Sequence, residues 1–259
     1  FDGVVAQHAQ DPRLTEAAQM NEGALSARLG LAGWPAVAEE AIIARDVLLA
    51  EHVGSRLHVC HVSTAGSVEV IRWAKARGIP VTAEVTPHHL LLTEELVESF
   101  NPIYKVNPPL RRAQDVHALR EAVVEGTIDI IATDHAPHPR EDKDCEWAAA
   151  AMGMVGLETA LGIAVEVFIG SGLLTWRDIA DRMSTIPARI GQVPDQGMPI
   201  APGSAANITV WDPSAQGPLE VDALVGKSGN SPYLGRRMPG TVRHVLFRGR
   251  PSVVDGALA

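Results

Sequence analysis

The stretch 57–85, LHVCHVSTAGSVEVIRWAKARGIPVTAEV, decides the fold. A β-rich run over 57–63 is followed, after Thr64, by a helical pattern that Gly78 stops. A second β-rich run then covers 79–85. Strand, helix and strand in that order predict a βαβ unit, and so a parallel sheet.

The same alternation extends outward. Residues 4–7 read as a strand ending at His8, and 38–51 read as a helix with Ala41, Ile42, Val47, Leu48 and Leu49 as its apolar stripe. The 79–85 strand runs into Thr86-Pro87-His88-His89. A helix near 113–125 precedes a strand over 127–132, which leads into Thr133-Asp134-His135. Two more helices are expected at 156–169 and 175–186. After about Gln192 the chain changes character: Pro194, Gly197, Pro199, Pro202 and Gly203 interrupt it, and 208–210 and 242–247 read as strands of a small β appendage. The expected division is therefore 1–192, an α/β domain, and 193–259. No internal repeat and no low-complexity tract is visible.

Composition bounds the function. Of 259 residues, 46% are hydrophobic and 20% charged, which fits a packed globular fold. The net charge of -9, with Lys and Arg dispersed, argues against nucleic acid or an anionic membrane surface as partner. No apolar run is long enough to span a bilayer, and no signal peptide opens the chain. Two cysteines only, Cys60 and Cys145, fit a reducing cytoplasm, with Cys60 read as a buried free thiol.

Three strands end in residues able to bind a metal or move protons: His8, His61 and Asp134. In a parallel α/β barrel such ends converge on one face. Two imidazoles suit Zn2+, and a carboxylate can ligate the ion while accepting a proton. Each residue also has a plainer reading. A single His at a strand end is commonly a hydrogen-bonded structural group, and Asp134 could simply cap the next turn. Of His58 and His61, separated by Val59-Cys60, one is expected to face the site. The repetition at strand ends favours a metal-dependent hydrolase.

The runs HVCHVSTAGSVE, VTAEVTPHHLLLT, YKVNPPLR and ATDHAPH, in this order, resemble dihydroorotases of the class I type within the amidohydrolase superfamily. The likeness continues through PGSAANITVWDP and NSPYLG, and GWPAVAEEAIIARDVLLAEHV is similar to actinobacterial forms. The resemblance implies interconversion of L-dihydroorotate and N-carbamoyl-L-aspartate in de novo pyrimidine synthesis, with one or two Zn2+ ions. By the same likeness His8 and His61 are metal ligands from the ends of barrel strands 5 and 6. Asp134 is the strand-8 ligand and the proton shuttle. Asn107, His138 and Gly153 contact substrate. His88 and His89 match the family wording without an assigned ligand role.

The chain also departs from the family. In the family the His-x-His motif with its nearby Arg, an Asn, and the bridging Asp of an Asp-Asp-Gly motif would all precede Phe1; Asp2-Gly3 lies only six residues before His8 and is not that motif. HAQD stands where many relatives have His-Cys-Glu-Asp. The first residue is Phe1, and a strand begins almost at once. The expectation is thus about strands 5–8 of a TIM-type (β/α)8 barrel plus part of a small β-sandwich appendage. Such a fragment would be poorly stable and inactive alone, since half a barrel leaves strand edges unpaired. A hydantoinase or allantoinase, or a non-catalytic relative acting as partner of aspartate transcarbamoylase, are the alternatives. Retention of His8, His61 and Asp134 argues against the last. Partners implied by the family are the small-molecule substrate and either a homodimer or an aspartate transcarbamoylase complex. The polar segment 139–147, PREDKDCEW, is expected as a mobile rim or a solvated loop.

Overall fold

The computed structural model describes residues 3–259; Phe1 and Asp2, and so half of the Asp2-Gly3 pair, lie outside the described residues. Contacts divide the chain into two compact units, one running to Leu157 with Gly226–Pro232 added, the other Glu158–Val225 with Tyr233–Ala259. Compactness thus separates the chain after Leu157, whereas composition changes near 192.

In the first unit β1 (Val4–Gln7), β2 (Arg56–Val59), β3 (Val81–Val85) and β4 (Ile130–Ile131) form a parallel sheet in chain order. The connections carry α1 (Val37–Val53), α2 (Ala65–Ala76) and α3 (Ala113–Glu125). This is the βαβ alternation expected from the sequence. Thr64 starts α2 by accepting the Ser67 N–H at 3.1 Å, and Gly78 supplies the positive φ of +75° just past its end. Val68, Ile71 and Ala74 bury one face of α2. In β3 the alternation is regular: Val81, Ala83 and Val85 are buried, while Thr82 and Glu84 on the opposite face are half-buried.

The apolar stripe of α1 differs from expectation. Ala38, Ile42, Ile43, Val47 and Ala50 are buried, whereas Ala41, Leu48 and Leu49 are exposed. The buried set keeps helical spacing, so the helix rests on a narrower apolar face than a count of its leucines suggests. The strand expected over 57–63 also ends early, at Val59, because His61 adopts φ +34° and leaves the extended conformation.

The second unit holds the helical segments Ala160–Ala164 and Val165–Ile169, then Trp176–Ala180, Asp181–Thr185 and Ile186–Ile190. It also contains an antiparallel sheet of β5 (Ile208–Asp212), β6 (Thr241–Phe247), β7 (Arg250–Val254) and β8 (Ala257–Leu258), ordered β8-β7-β6-β5. Among the described residues, no helix is long and apolar enough to cross a membrane.

Candidate active site

His8 follows the last residue of β1 and His61 lies two residues past β2, so neighbouring parallel strands deliver both to one end of the sheet. His8 Nδ1 and His61 Nε2 are 2.8 Å apart, with the rings edge to face. The Gln10 side-chain oxygen accepts from His8 Nε2 at 2.9 Å, which leaves Nδ1 as the lone-pair nitrogen aimed at His61. Burial, followed by the neighbouring His8, lowers the proton affinity of His61, while Asp134, Glu39 and Glu84 act in the opposite sense. The balance keeps His61 neutral, the form in which an imidazole binds a metal ion.

Asp134 lies three residues past β4 and takes φ +45°. A positive φ is uncommon outside glycine, and His61 and Asp134 both adopt it. The kink turns each side chain out of the strand alternation at the strand end. The Asp134 charge acts on His61 and on Cys60, but among the described residues its carboxylate does not form with His8 and His61 a group whose ligand atoms all lie within 4.8 Å of one another.

Asn107 joins the His8 side of the site through Gln10. Its Nδ2 donates to the Gln10 oxygen at 3.2 Å, and Gln10 Nε2 in turn donates to Thr15 Oγ1 at 2.7 Å. Asn107 Oδ1 is buried with no hydrogen-bond partner among the described residues. The adjoining backbone is held by His89, whose Nε2 donates to the Pro108 carbonyl at 3.1 Å while Nδ1 accepts from Thr86 Oγ1 at 2.8 Å. Burial drives both His88 and His89 to the neutral form, His88 down to about 3.

His138 and Gly153 meet elsewhere in the same unit. His138 Nε2 donates to the Met152 carbonyl at 3.1 Å. A Cβ on Gly153 would stand 2.7 Å from Ala136 Cβ and 2.8 Å from His138 Nε2, and its φ is +145°. Only glycine fits there. Asn230 closes this turn: it donates to the Ala136 and Gly153 carbonyls at 2.9 and 3.2 Å, and its Oδ1 accepts from His138 N at 3.3 Å. Nothing within NSPYLG marks Asn230 for this role, because its contact with His138 spans 92 residues and has no local signal. Gln10 does carry a signal, since it occupies a position where HAQD departs from the family wording.

The segment 139–147 is more ordered than a solvated loop. Arg140–Lys143 forms a helical turn, and Lys143 and Trp147 are buried. Lys105 Nζ donates to the Trp147 and Ala148 carbonyls at 2.6 and 3.1 Å, and Lys143 Nζ to the Lys105 and Ala151 carbonyls at 3.1 and 2.8 Å. Gly153 N also reaches the Lys105 carbonyl, at 2.9 Å. Two ammonium groups therefore clamp the turn bearing Gly153 to the segment leading into Asn107. Burial and the adjacent Lys105 charge lower Lys143 to about 8.

Residues 1–67 match the model of dihydro-orotase-like proteins, and residues 36–251 match that of the amidohydrolase family. The chain is 66% identical over 258 residues to the dihydroorotase of Streptomyces coelicolor, covering 100% of this chain and 60% of that protein. Identity to the dihydroorotase of Mycobacterium tuberculosis is 51% over 255 residues, covering 98% and 59%. Among solved structures, the L-hydantoinase (dihydropyrimidinase) of Arthrobacter aurescens superposes with a TM-score of 0.89 at 28% identity, covering 99% of this chain and 58% of that one. The dihydropyrimidinase of Brevibacillus agri gives 0.87 at 25% identity, covering 100% and 58%. The chain spans about 60% of the length of the curated relatives it matches. Because a single family model runs from residue 36 to residue 251 of 259, the chain belongs to the amidohydrolase family.

Proposed function

We propose that the protein contributes the catalytic C-terminal part of a dihydroorotase, which interconverts L-dihydroorotate and N-carbamoyl-L-aspartate in de novo pyrimidine synthesis. The observation that carries this reading is the facing pair His8 and His61 at 2.8 Å, at the ends of adjacent parallel strands. Relatives named dihydroorotase at 51–66% identity supply the substrate. The hydantoinase structures share the architecture at 25–28% identity, so they support the cyclic-amide class more than a different substrate.

In this reading the parallel sheet is about strands 5–8 of a TIM-type (β/α)8 barrel, and the antiparallel sheet is part of a β-sandwich appendage. The edge beside β1 supports the first half of that statement. Val5, Leu49 and Val53 are 57%, 52% and 67% exposed, and they line an open groove of about 300 Å³ with Gln7, Ala50 and Leu57. An apolar groove along an edge strand and its helix is the surface on which a preceding βα unit packs.

The facing imidazoles of His8 and His61 suit a divalent metal in donor type and placement, whereas Asp134 does not share one ligand-spaced group with them, so its carboxylate would have to approach the pair to join them. His8, His61 and Asp134 would hold Zn2+, as one or two ions with further ligands. When bound, such an ion would provide Lewis-acid activation of water and of the ring carbonyl. Asp134 accepts the proton of the attacking water and passes it to the ring nitrogen as the C–N bond breaks and the ureido group leaves. Gln10 holds the His8 tautomer through Nε2. Asn107 offers its unpartnered Oδ1, with His138 and the backbone at Gly153, to orient the substrate.

The test compares L-dihydroorotate with a 5-substituted hydantoin, using zinc-loaded protein both as 1–259 and extended to the length of its relatives. The reading expects the extended form to hydrolyse dihydroorotate with a kcat/KM at least about a hundredfold above that for hydantoin. It expects 1–259 alone to be inactive. Preference for hydantoin would overturn it.

A further inference from the structure

We propose that His58, Cys60 and Glu84 form a second cation site, distinct from His8, His61 and Asp134, that takes a borderline-soft divalent ion of the Zn2+ class. Among the described residues, these three make up the group of His, Cys, Asp or Glu side chains whose ligand atoms all lie within 4.8 Å of one another.

The sheet builds the group. His58 and Cys60 are two residues apart and so share one face of β2, and the Cys60 N–H donates to the Gln7 carbonyl at 2.9 Å, continuing the pairing beyond Val59. His58 pairs with Thr82 and Val59 with Ala83, which sets Cys60 opposite Glu84 on β3. The other face of these strands, carrying Leu57, Val59, Ala83 and Val85, is fully buried.

The donors suit a metal in type, charge and spacing. Imidazole, thiolate and carboxylate are all ligands for zinc, and one thiolate with one carboxylate balances a divalent charge. His58 Nε2 and Glu84 Oε2 are 3.0 Å apart, against roughly 3.3 Å for two donors on one tetrahedral zinc ion at its usual bond lengths. A few tenths of an ångström of separation would admit the ion. Thr82 Oγ1 lies 2.8 Å from His58 Nδ1 and 3.4 Å from the Leu57 carbonyl. His58 Nε2 and Glu84 Oε2 share a hydrogen bond at 3.0 Å, so an arriving ion would replace the shared proton, with Thr82 Oγ1 placed to accept from His58 Nδ1–H.

The site would also bear on the first one. Glu84 Oε1 accepts the His61 N–H at 3.3 Å, and Cys60 is the residue bonded to His61. An ion bound by Cys60 and Glu84 would fix the backbone at His61, where φ is +34°. None of this depends on the identity of the substrate.

Cobalt titration of the metal-free protein tests the proposal, because the first site has no sulfur donor. A thiolate-to-cobalt charge-transfer band in the near ultraviolet is expected, saturating at one cobalt per chain. The band should vanish in Cys60→Ser, persist in Cys145→Ser, and need at least about tenfold more cobalt in Glu84→Gln. X-ray absorption of the zinc-loaded Cys145→Ser protein should show a sulfur shell at about 2.3 Å, and this readout decides the matter even if Cys60→Ser fails to fold. Visible cobalt absorption without the charge-transfer band would overturn the second site and leave the first standing. A band that follows Cys145, or a zinc shell of nitrogen and oxygen alone, would overturn it as well.

Discussion

His8 Nδ1 and His61 Nε2 face each other at 2.8 Å across 53 residues of sequence. Parallel pairing of β1 with β2, in the register Gln7 with Val59, brings the two strand ends together. The positive φ at His61 then turns its ring toward its neighbour. Gln10 sets the direction of the pair, because its oxygen takes the His8 Nε2 proton.

Gln10→Ala therefore removes one acceptor from two groups, His8 Nε2 and Asn107 Nδ2. Metal affinity is expected to fall by about 10-fold or more, the usual effect of losing a partner behind a ligand, and KM to rise at the same time. Competition with a chromophoric chelator reads the first and steady-state kinetics the second. Unchanged metal affinity would show that His8 does not depend on Gln10.

Asn107→Ala tests the substrate contact separately. Its Oδ1 is buried without a hydrogen-bond partner among the described residues, and such an atom is costly unless a ligand completes it. The variant should raise KM about tenfold, the equivalent of ~1.4 kcal/mol, with metal content unchanged. A KM equal to that of the parent would remove Asn107 from the binding role.

Gly153→Ala would set a methyl group 2.8 Å from His138 Nε2 and 2.7 Å from Ala136 Cβ. Displacement of His138 is the expected result, seen as a higher KM and as movement of the imidazole in a crystal structure of the variant. A variant with unaltered KM and His138 in place would contradict the packing argument.

Lys143 carries a pH dependence whose sign follows from its burial. In the folded protein it titrates at about 8, against 10.5 ordinarily. Between these values the unfolded chain binds more protons, so this group makes stability rise as pH goes from about 8 to 10.5. Below about 8 the cost of burying the ammonium is present in full. Thermal unfolding of the parent and of Lys143→Met between pH 7 and 10 should show a Tm difference that shifts in favour of the parent as pH rises. A difference independent of pH would refute the shifted lysine.

Much of this was legible in the sequence. The periodicity of 113–125 matched α3 at both ends, and 4–7 matched β1, because apolar spacing and flanking breakers mark regular elements. His8, His61 and Asp134 were visible as strand-terminal residues because the parallel arrangement itself was visible. The left-handed conformation at His61 was not, and it shortened the expected strand. Nor were the contacts of Asn230 and the lysine clamp, since they join segments far apart in the chain and depend on loop paths that periodicity does not encode. Leu48 and Leu49 misled for a related reason: in 1–259 they stand on the exposed side of α1, Leu49 at the groove beside Val5.

The most direct test of the account is Asp134→Asn in the zinc-loaded protein extended to the length of its relatives, with kcat for dihydroorotate, metal content and circular dichroism measured on one sample. Loss of the proton acceptor should reduce kcat by at least about 10²-fold while the spectrum stays that of the parent. Turnover at the parent rate would contradict the role of Asp134 and, with it, the proposed chemistry of the site.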